Sequence, residues 1–298
     1  MIVKPKKFNL NIAKKRDDLG GFLLNGEFYS ESMIIKNRNL KLNTKIDENN
    51  IIYDAVNNLS SVSFKINTEL LHFIYKYNKD FNLTLLEEKH PLECKTKEEK
   101  DAMSTTEIKT LESFISKRFT DQYILAIAEI FENIEEFYIP TKIDYRGRIY
   151  CNVPYLNYQS TELAKALLLF SKGEEISLND INSINFLKIY GANCFGNKLN
   201  KKSASERIKW VDDNLENIKN YHDGKLIMEA ESKLLFIAFC LEFNRYLKFI
   251  ESVKSTLINP NDNIEYQQKL IEENSPKFIT YLPIQLDATC NGFQHILC

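Results

Sequence analysis

Apolar residues recur every three or four positions along two stretches in the first half of the chain, a pattern typical of amphipathic helices. Residues 55–75 carry this repeat at Leu59, Val62, Ile66, Leu70, Phe73 and Ile74. Residues 105–136 carry it at Ile108, Leu111, Ile115, Phe119, Tyr123, Ile127, Ile130 and Ile134, after a possible N-cap at Ser104 or Thr105. The polar stretch 87–100 between them predicts that the two helices pack as an antiparallel hairpin.

The pattern changes after Pro140. Residues 141–153 are β-prone around an Arg-Gly-Arg sequence and predict a strand or turn that presents charge. A short helix is predicted over 161–170, capped by Ser160 or Thr161 and burying Leu163, Ala164, Leu167 and Leu168. Further helices are predicted near 182–194, 204–220 and 228–251. The dense apolar run at 278–286 predicts a strand that ends at Asp287. The predicted class is therefore α+β with helices dominant.

Charge and composition disfavour several classes of protein. The chain has 39 Lys plus Arg against 41 Asp plus Glu, a net charge of −2, so no overall basicity advertises a nucleic-acid partner. The longest apolar run spans eight residues, 234–241, well below the roughly 20 that a membrane-spanning helix needs. The basic N-terminal stretch lacks the apolar core of a secretory signal. Six scattered cysteines without a CxxC pair disfavour a zinc site or a disulfide framework and suit a reducing compartment.

Three amino acids with A/T-rich codons, Ile, Asn and Lys, supply 96 of the 298 residues, whereas Gly supplies 9. This bias fits an AT-rich bacterial or protist nuclear genome. It equally fits an organellar genome or a plasmid resident in an organelle. Composition does not decide between them.

Asp287, at the end of the predicted C-terminal strand, has two interpretations. A lone Asp at a strand end is most often a turn former or a helix cap. A carboxylate held there is also a hard oxygen ligand of the kind that Mg²⁺ accepts, one or two at a time, beside substrate phosphates. The residues that follow Asp287 favour the second interpretation.

Residues 286–295 (LDATCNGFQH) closely resemble motif A of the single-subunit RNA polymerases of the bacteriophage and mitochondrial type. Residues 144–150 (DYRGRIY) resemble the Asp-x-x-Gly-Arg element of the same family, which lies upstream of motif A and contacts nucleic acid. Between the two, residues 171–173 (SKG), 187–196 (LKIYGANCFG) and 206–209 (ERIK) follow in the order of the family. The resemblance extends to residues 64–67 (FKIN) and so covers essentially the whole chain.

The resemblance implies roles for particular residues. Asp287 is the catalytic carboxylate and a metal ligand, and the backbone carbonyl of Ala288 adds a second oxygen ligand for Mg²⁺. Arg146 and Arg148 contact the backbone of the template or hybrid, since guanidinium groups bind phosphate in a bidentate way. The alternative for these arginines is surface pairing with Asp144.

Three further positions have roles with open alternatives. Tyr150 stacks on a base or sugar, or else belongs to the core. Lys198 matches a lysine that faces the incoming triphosphate, although Lys201 and Lys202 lie close in sequence, and a solvated surface charge is the alternative for all three. His295 is expected to be structural, packing behind the strand.

The resemblance also implies a partial right-hand polymerase fold with the fingers missing. Its predicted parts are a thumb-like helical region (1–134), a palm segment (135–173), a helical palm insertion (174–277) and a palm strand with motif A (278–298). Motif B and motif C, which in this family lie downstream of motif A and bring the nucleotide-selecting residues and the second metal-binding Asp, are not in the sequence. We therefore expect a central fragment of a polymerase that is inactive alone.

The predicted function is DNA-directed RNA synthesis by two-metal catalysis with Mg²⁺. The expected partners are a DNA template, the RNA product, ribonucleoside triphosphates and a downstream polymerase half, with no membrane. The expected location is the mitochondrion, with an organellar or plasmid gene, and the cytoplasm is the alternative. Two rival functions remain open, a non-catalytic nucleic-acid-binding remnant and a fragment of a related right-hand DNA polymerase; a helical protein without a ligand would leave the residue order unexplained.

Overall fold

The structure, a computed structural model, describes residues 2, 4–5, 35–36, 51–81, 83, 89–144, 148–257 and 276–285. Within these ranges the α-helices are α1 (Ile51–Ser60), α2 (Thr68–Phe81), α3 (Lys97–Asp101), α4 (Thr105–Phe131), α5 (Glu162–Ala166), α6 (Ile181–Phe195), α7 (Ala204–Asp213), α8 (Leu215–Lys219), α9 (Lys225–Glu229) and α10 (Lys233–Leu257). The strands are β1 (Ile35–Lys36), β2 (Ser63–Ile66), β3 (Phe137–Tyr138), β4 (Thr141–Asp144), β5 (Ile149–Cys151), β6 (Leu168–Phe170), β7 (Glu174–Ser177) and β8 (Lys277–Thr280). The helix-dominated α+β class is confirmed. None of the described helices is long and apolar enough to cross a membrane.

A small antiparallel sheet of order β3-β2-β6 lies at the centre of the described fold. On the outer side of β6, the Phe170 N–H donates to the carbonyl oxygen of Tyr281 at 2.9 Å. Next to this contact, β8 pairs antiparallel with β7, with Thr280 opposite Glu174. The segment that leads into the predicted motif A is therefore bonded to β6 of this sheet at one place and to β7 at another.

The single helix predicted over residues 55–75 is wrong in its middle. α1 ends at Ser60 and α2 begins at Thr68, and residues 63–66 between them form β2. Both edges of β2 are occupied by other strands, and Phe64 and Ile66 are each 4% exposed. Pairing with strands that are distant in sequence thus overrides a helical apolar repeat.

The helix predicted over 161–170 is too long. Thr161 is the N-cap, as expected, because its side chain accepts a hydrogen bond from the Ala164 N–H. The helix ends at Ala166, and residues 168–170 instead form β6, which pairs with β2. The four residues predicted to be buried, Leu163, Ala164, Leu167 and Leu168, are all buried.

The long helix predicted over 105–136 is confirmed as α4, although it ends at Phe131, five residues before the predicted end. Ser104 is its N-cap, and Ser104 and Glu107 exchange reciprocal hydrogen bonds between side chain and backbone N–H, at 3.3 and 2.9 Å. The predicted buried face is wrong, because the exposed residues include Ile108, Phe119, Tyr123 and Ile130. Burial is instead confined to the second half of the helix, at Asp121, Ile124, Leu125 and Ala128.

The predicted antiparallel arrangement of the two N-terminal helices holds for α2 and the end of α4. His72 and Tyr75 of α2 form hydrogen bonds with Glu132 and Glu129 of α4, respectively. The later residue of α2 bonds to the earlier residue of α4, so the two helices run in opposite directions where they meet.

Helix α10 is the main element of the core, and the predicted helices near 182–194, 204–220 and 228–251 correspond to α6, to α7 with α8, and to α10. Phe239 of α10 is fully buried against α6, where a Cβ at Gly191 would overlap its ring. The N-terminus of α10 is capped from outside by Glu162, whose carboxylate accepts the N–H groups of Leu234 and Leu235 at 2.7 and 3.3 Å. Burial raises the pKa of Glu162 above its ordinary value, against the opposing effect of these hydrogen bonds.

Candidate nucleic-acid and nucleotide-binding site

The charged turn predicted over 141–153 is part of a β-hairpin. β4 and β5 pair antiparallel, with Lys142 opposite Tyr150. Side chains on directly opposed residues, and on residues two apart in one strand, lie on the same face of a sheet. Lys142 and Tyr150 therefore share one face, and Arg148, which directly precedes β5 and lies two residues before Tyr150, is expected on the same side; we call these three residues the hairpin face. Arg148 is exposed and Tyr150 is 36% exposed, so Tyr150 is not a core residue.

Gln159 holds the outer edge of this hairpin in place. Its side-chain carbonyl accepts the Cys151 N–H at 2.7 Å, and its amide group donates to the Ile149 carbonyl oxygen at 2.9 Å. The Asn152 N–H closes the base of the hairpin on the Pro140 carbonyl oxygen at 2.7 Å. The hairpin face is thus presented from a well-supported backbone, a condition for precise recognition.

Lys142 is a candidate contact residue that the sequence analysis missed. Its place opposite Tyr150 adds an ammonium group to a face that already carries a guanidinium group and a phenol ring. Such a combination suits phosphates and the flat faces of bases. The alternation of side chains along the strand before Arg-Gly-Arg could have identified Lys142, because it decides which residues of β4 lie on the same face as Tyr150.

Several predicted site residues lie outside the described residues: Arg146, Asp287, Ala288 and His295. In the described ranges, no group of three or more His, Cys, Asp or Glu side chains is arranged to hold a metal ion. The Mg²⁺ prediction depends on donor chemistry at Asp287 and Ala288, whose carboxylate and carbonyl oxygens are hard ligands of the type that Mg²⁺ binds.

Lys198 lies in an unusual turn directly after α6. Three consecutive residues, Gly196, Asn197 and Lys198, have positive φ values of 77°, 49° and 67°. A left-handed conformation costs a residue other than Gly roughly 1–2 kcal/mol, and such outliers cluster at functional positions. Gly196 is buried against Glu231, and Asn197 donates from its side chain to the Glu229 carbonyl oxygen at 2.9 Å.

The structure distinguishes the lysines of this region. Lys202 pairs with Glu206 at 3.4 Å, one helical turn away. Lys198 is exposed and, in the described part of the chain, forms no ion pair; the same holds for Lys201. Of the three, Lys198 alone has the strained backbone, which favours it as the lysine with a specific role.

Comparison with known proteins identifies the relatives of this chain. The family model described as DNA-dependent RNA polymerase matches residues 178–260 and 261–297. A "Probable DNA-directed RNA polymerase" of Podospora anserina is 46% identical over 299 aligned positions, which cover 99% of this chain and 28% of that protein. The mitochondrial DNA-directed RNA polymerase of Neurospora crassa is 30% identical over 63% of this chain and 12% of its own length.

The likeness also reaches a bacteriophage enzyme. T7 RNA polymerase of Escherichia phage T7 is 29% identical over 184 positions, covering 60% of this chain and 17% of that protein. The chain spans less than a third of each of these relatives. Together, these matches show that the chain belongs to the single-subunit, T7-like family of DNA-dependent RNA polymerases and is by family a nucleotidyltransferase.

Proposed function

We propose that this chain carries part of the active site for template-directed RNA synthesis, with Asp287 as catalytic carboxylate. The observation that best supports a nucleic-acid contact is the hairpin face, where Lys142, Arg148 and Tyr150 lie together on an exposed surface. Arg148 and Lys142 bind phosphates of the template or hybrid, and Tyr150 stacks on a base or sugar. Arg146, two residues before Arg148 in the sequence, adds a second guanidinium group.

Nucleotidyl transfer depends mainly on positioning and on charge stabilisation. The carboxylate of Asp287 and the carbonyl oxygen of Ala288 would hold Mg²⁺, which would supply charge stabilisation for nucleotidyl transfer. Lys198 binds the triphosphate of the incoming nucleotide, and its left-handed backbone directs an ammonium group that has no ion pair among the described residues.

The activity of a whole polymerase is likewise a proposal, since the chain spans 28% of its Podospora anserina relative. We infer that a second metal-binding carboxylate comes from another part of the polymerase and that these 298 residues do not extend RNA alone. We also propose the thumb-like, palm, insertion and motif A division, in which β2 of the thumb-like region joins the palm sheet through β6. A mitochondrial location is supported by mitochondrial enzymes among the relatives.

The test uses a chimera in which this chain replaces the matching segment of the Podospora anserina relative. We expect the chimera to extend an RNA primer on a DNA template with Mg²⁺ and ribonucleotides. Tyr150→Ala should weaken primer–template binding about tenfold, because one stacked base contributes roughly 1–3 kcal/mol. Arg148→Ala should reduce the salt dependence of binding by about one phosphate contact. Lys172→Ala, an exposed lysine away from the hairpin face, is the control.

Different results would support the rival functions. Extension with deoxynucleotides alone would indicate a DNA polymerase. Salt-dependent binding of nucleic acid by the chain, without extension in the chimera, would indicate a non-catalytic binding remnant. Equal binding by the Arg148 and Tyr150 variants and the parent would remove the hairpin face from the nucleic-acid interface.

A further inference from the structure

One turn of α10 grips the segment that precedes the predicted motif A. Glu242 is 8% exposed, and its carboxylate accepts hydrogen bonds from the Thr280 hydroxyl at 2.5 Å and the Tyr281 N–H at 3.3 Å. Arg245 donates from Nη2 to the Ile279 carbonyl oxygen at 2.6 Å and to the Glu242 carboxylate at 2.7 Å. One ion pair thus holds three consecutive residues of the segment.

Aromatic contacts add to this grip. The Arg245 guanidinium carbon lies 5.0 Å from the ring centre of Phe278 and 5.3 Å from that of Tyr281. Lys65, which comes from β2, places its ammonium nitrogen 3.2 Å from the centre of the Tyr281 ring. These distances are within the range of cation–π attraction. Lys65, Arg245 and Tyr281 are among the side chains that line a cavity of about 330 Å³, and Glu242 lines it too.

The cationic groups depend on Glu242 for charge balance. Burial and the Arg245 guanidinium lower the pKa of Lys65, whereas the Glu242 carboxylate opposes that shift. The Glu242 side chain is 9% exposed and that of Arg245 is 39% exposed, so the carboxylate loses most of its water while the guanidinium group keeps part of its own, and such an ion pair adds little to stability. The Glu242–Arg245 pair therefore contributes more to the position of residues 279–281 than to the free energy of unfolding.

The two residues that follow this held segment, Leu282 and Pro283, have a restricted backbone. Leu282 is 7% exposed, and Pro283 restricts Leu282 to an extended backbone and fixes its own φ. Asp287 lies six positions after Tyr281, a reach of at most about 22 Å in an extended chain. We expect a change of backbone direction at Tyr281 to shift the position of Asp287.

We propose that Glu242 and Arg245 are positioning residues for nucleotidyl transfer, holding residues 279–281 so that Asp287 is correctly placed for catalysis. This inference rests on the proposed function. A misplacement of about 1 Å at a reacting centre costs on the order of a hundredfold in rate, so loosening the grip should lower kcat. The KM for nucleotides should change little, because the proposed function assigns neither residue a contact with the substrate.

The first test uses the full chain alone and does not depend on activity. Hydrogen exchange is measured at the amides of Tyr281 and Leu282 in the parent, Glu242→Gln and Arg245→Met. The Tyr281 N–H loses its hydrogen bond to the Glu242 carboxylate, so its exchange is expected to speed up about tenfold or more. The Leu282 N–H donates to the Thr280 hydroxyl, which Glu242 holds in place, so its exchange is expected to speed up by a smaller factor. The control is Glu175→Gln, which breaks the exposed Lys277–Glu175 pair on the same two strands and should leave both amides unchanged.

The second test measures RNA extension by the chimera carrying the same substitutions. We expect Glu242→Gln and Arg245→Met to lower kcat by about 10- to 100-fold, with the KM for nucleotides within about twofold of the parent. Urea unfolding of each variant separates this effect from a loss of stability. Glu175→Gln should retain the parent kcat.

The outcomes are distinguishable. Unchanged exchange at Tyr281 and Leu282 would overturn the grip itself. Faster exchange with an unchanged kcat, or a loss of kcat that simply follows urea stability, would overturn the positioning role. A parent chimera that makes no RNA would contradict the proposed function, and the exchange rates would still decide whether Glu242 and Arg245 hold the segment.

Discussion

Gly173 lies where β7 approaches the segment before the predicted motif A, and replacing it with Ala should loosen that contact. A Cβ at position 173 would overlap the Ile279 side chain and lie 2.8 Å from Cε1 of Tyr281. It would also lie 2.9 Å from the Thr280 carbonyl oxygen. The Ile279 side chain is 43% exposed and can rotate away, but a backbone carbonyl in a paired strand cannot.

The size of the effect follows from two opposing contributions. Gly→Ala at an unstrained backbone stabilises a protein by about 0.4–1 kcal/mol, because the unfolded chain loses conformational freedom. Forcing an extra carbon into a filled contact costs about 1–3 kcal/mol. Since the overlap includes backbone, we expect the cost to dominate and the free energy of unfolding to fall by about 1–2 kcal/mol.

Urea unfolding followed by circular dichroism measures this change. The midpoint should fall while the slope with urea stays the same, as expected when stability changes and compactness does not. The adjacent exposed Lys172→Ala should change the free energy by no more than about 0.5 kcal/mol. If Gly173→Ala equals or exceeds the parent in stability, the close approach of β7 to residues 279–281 is incorrect.

Three further predictions concern other elements. Gly191→Ala should lower the free energy of unfolding by about 1–3 kcal/mol in urea titrations, because its Cβ would enter the Phe239 ring between α6 and α10. The pKa of Glu162 is higher in the folded state than in the unfolded state, where it is about 4.5. The free energy of unfolding should therefore fall as the pH rises from about 4.5 through the raised pKa, because the unfolded carboxyl group ionises first. Glu162→Gln should flatten that part of the plot of unfolding free energy against pH. Lys198→Gly should raise the free energy of unfolding by about 1 kcal/mol by relieving its left-handed backbone, while increasing the KM of the chimera for nucleotides. An unchanged KM would leave Lys198 a surface lysine.

The elements predicted correctly are those that are determined by interactions between residues close together in the sequence. Ser104 and Thr161 cap their helices through hydrogen bonds within three residues, and the apolar repeats of α4 and α10 are long enough to determine a helix. The errors arose where distant residues decide. Residues 63–66 and 168–170 are strands because they pair with each other across about 100 residues of chain, which no local pattern reveals.

Site residues follow the same division. The motif letters nominated Arg148, Tyr150 and Lys198, whose roles stay predictions; in the structure the first two are exposed beside each other in the β-hairpin and the third lies in a strained turn. Lys142 and Glu242 were missed because their partners are defined by cross-strand register and by helix-to-strand contact. A buried Glu within the apolar sequence of α10 was nevertheless a visible signal, since such a residue is rarely buried without a partner.

The role of Asp287 is tested most directly by single-turnover RNA extension with the chimera. Asp287→Ala should lower the extension rate by about a thousandfold, since charge stabilisation at the reacting oxygens contributes several kcal/mol, and should leave primer–template affinity unchanged. Asp213→Ala, at the exposed end of α7, should retain the parent rate. An Asp287→Ala chimera that extends RNA at the parent rate would contradict the assignment of Asp287 as the catalytic carboxylate.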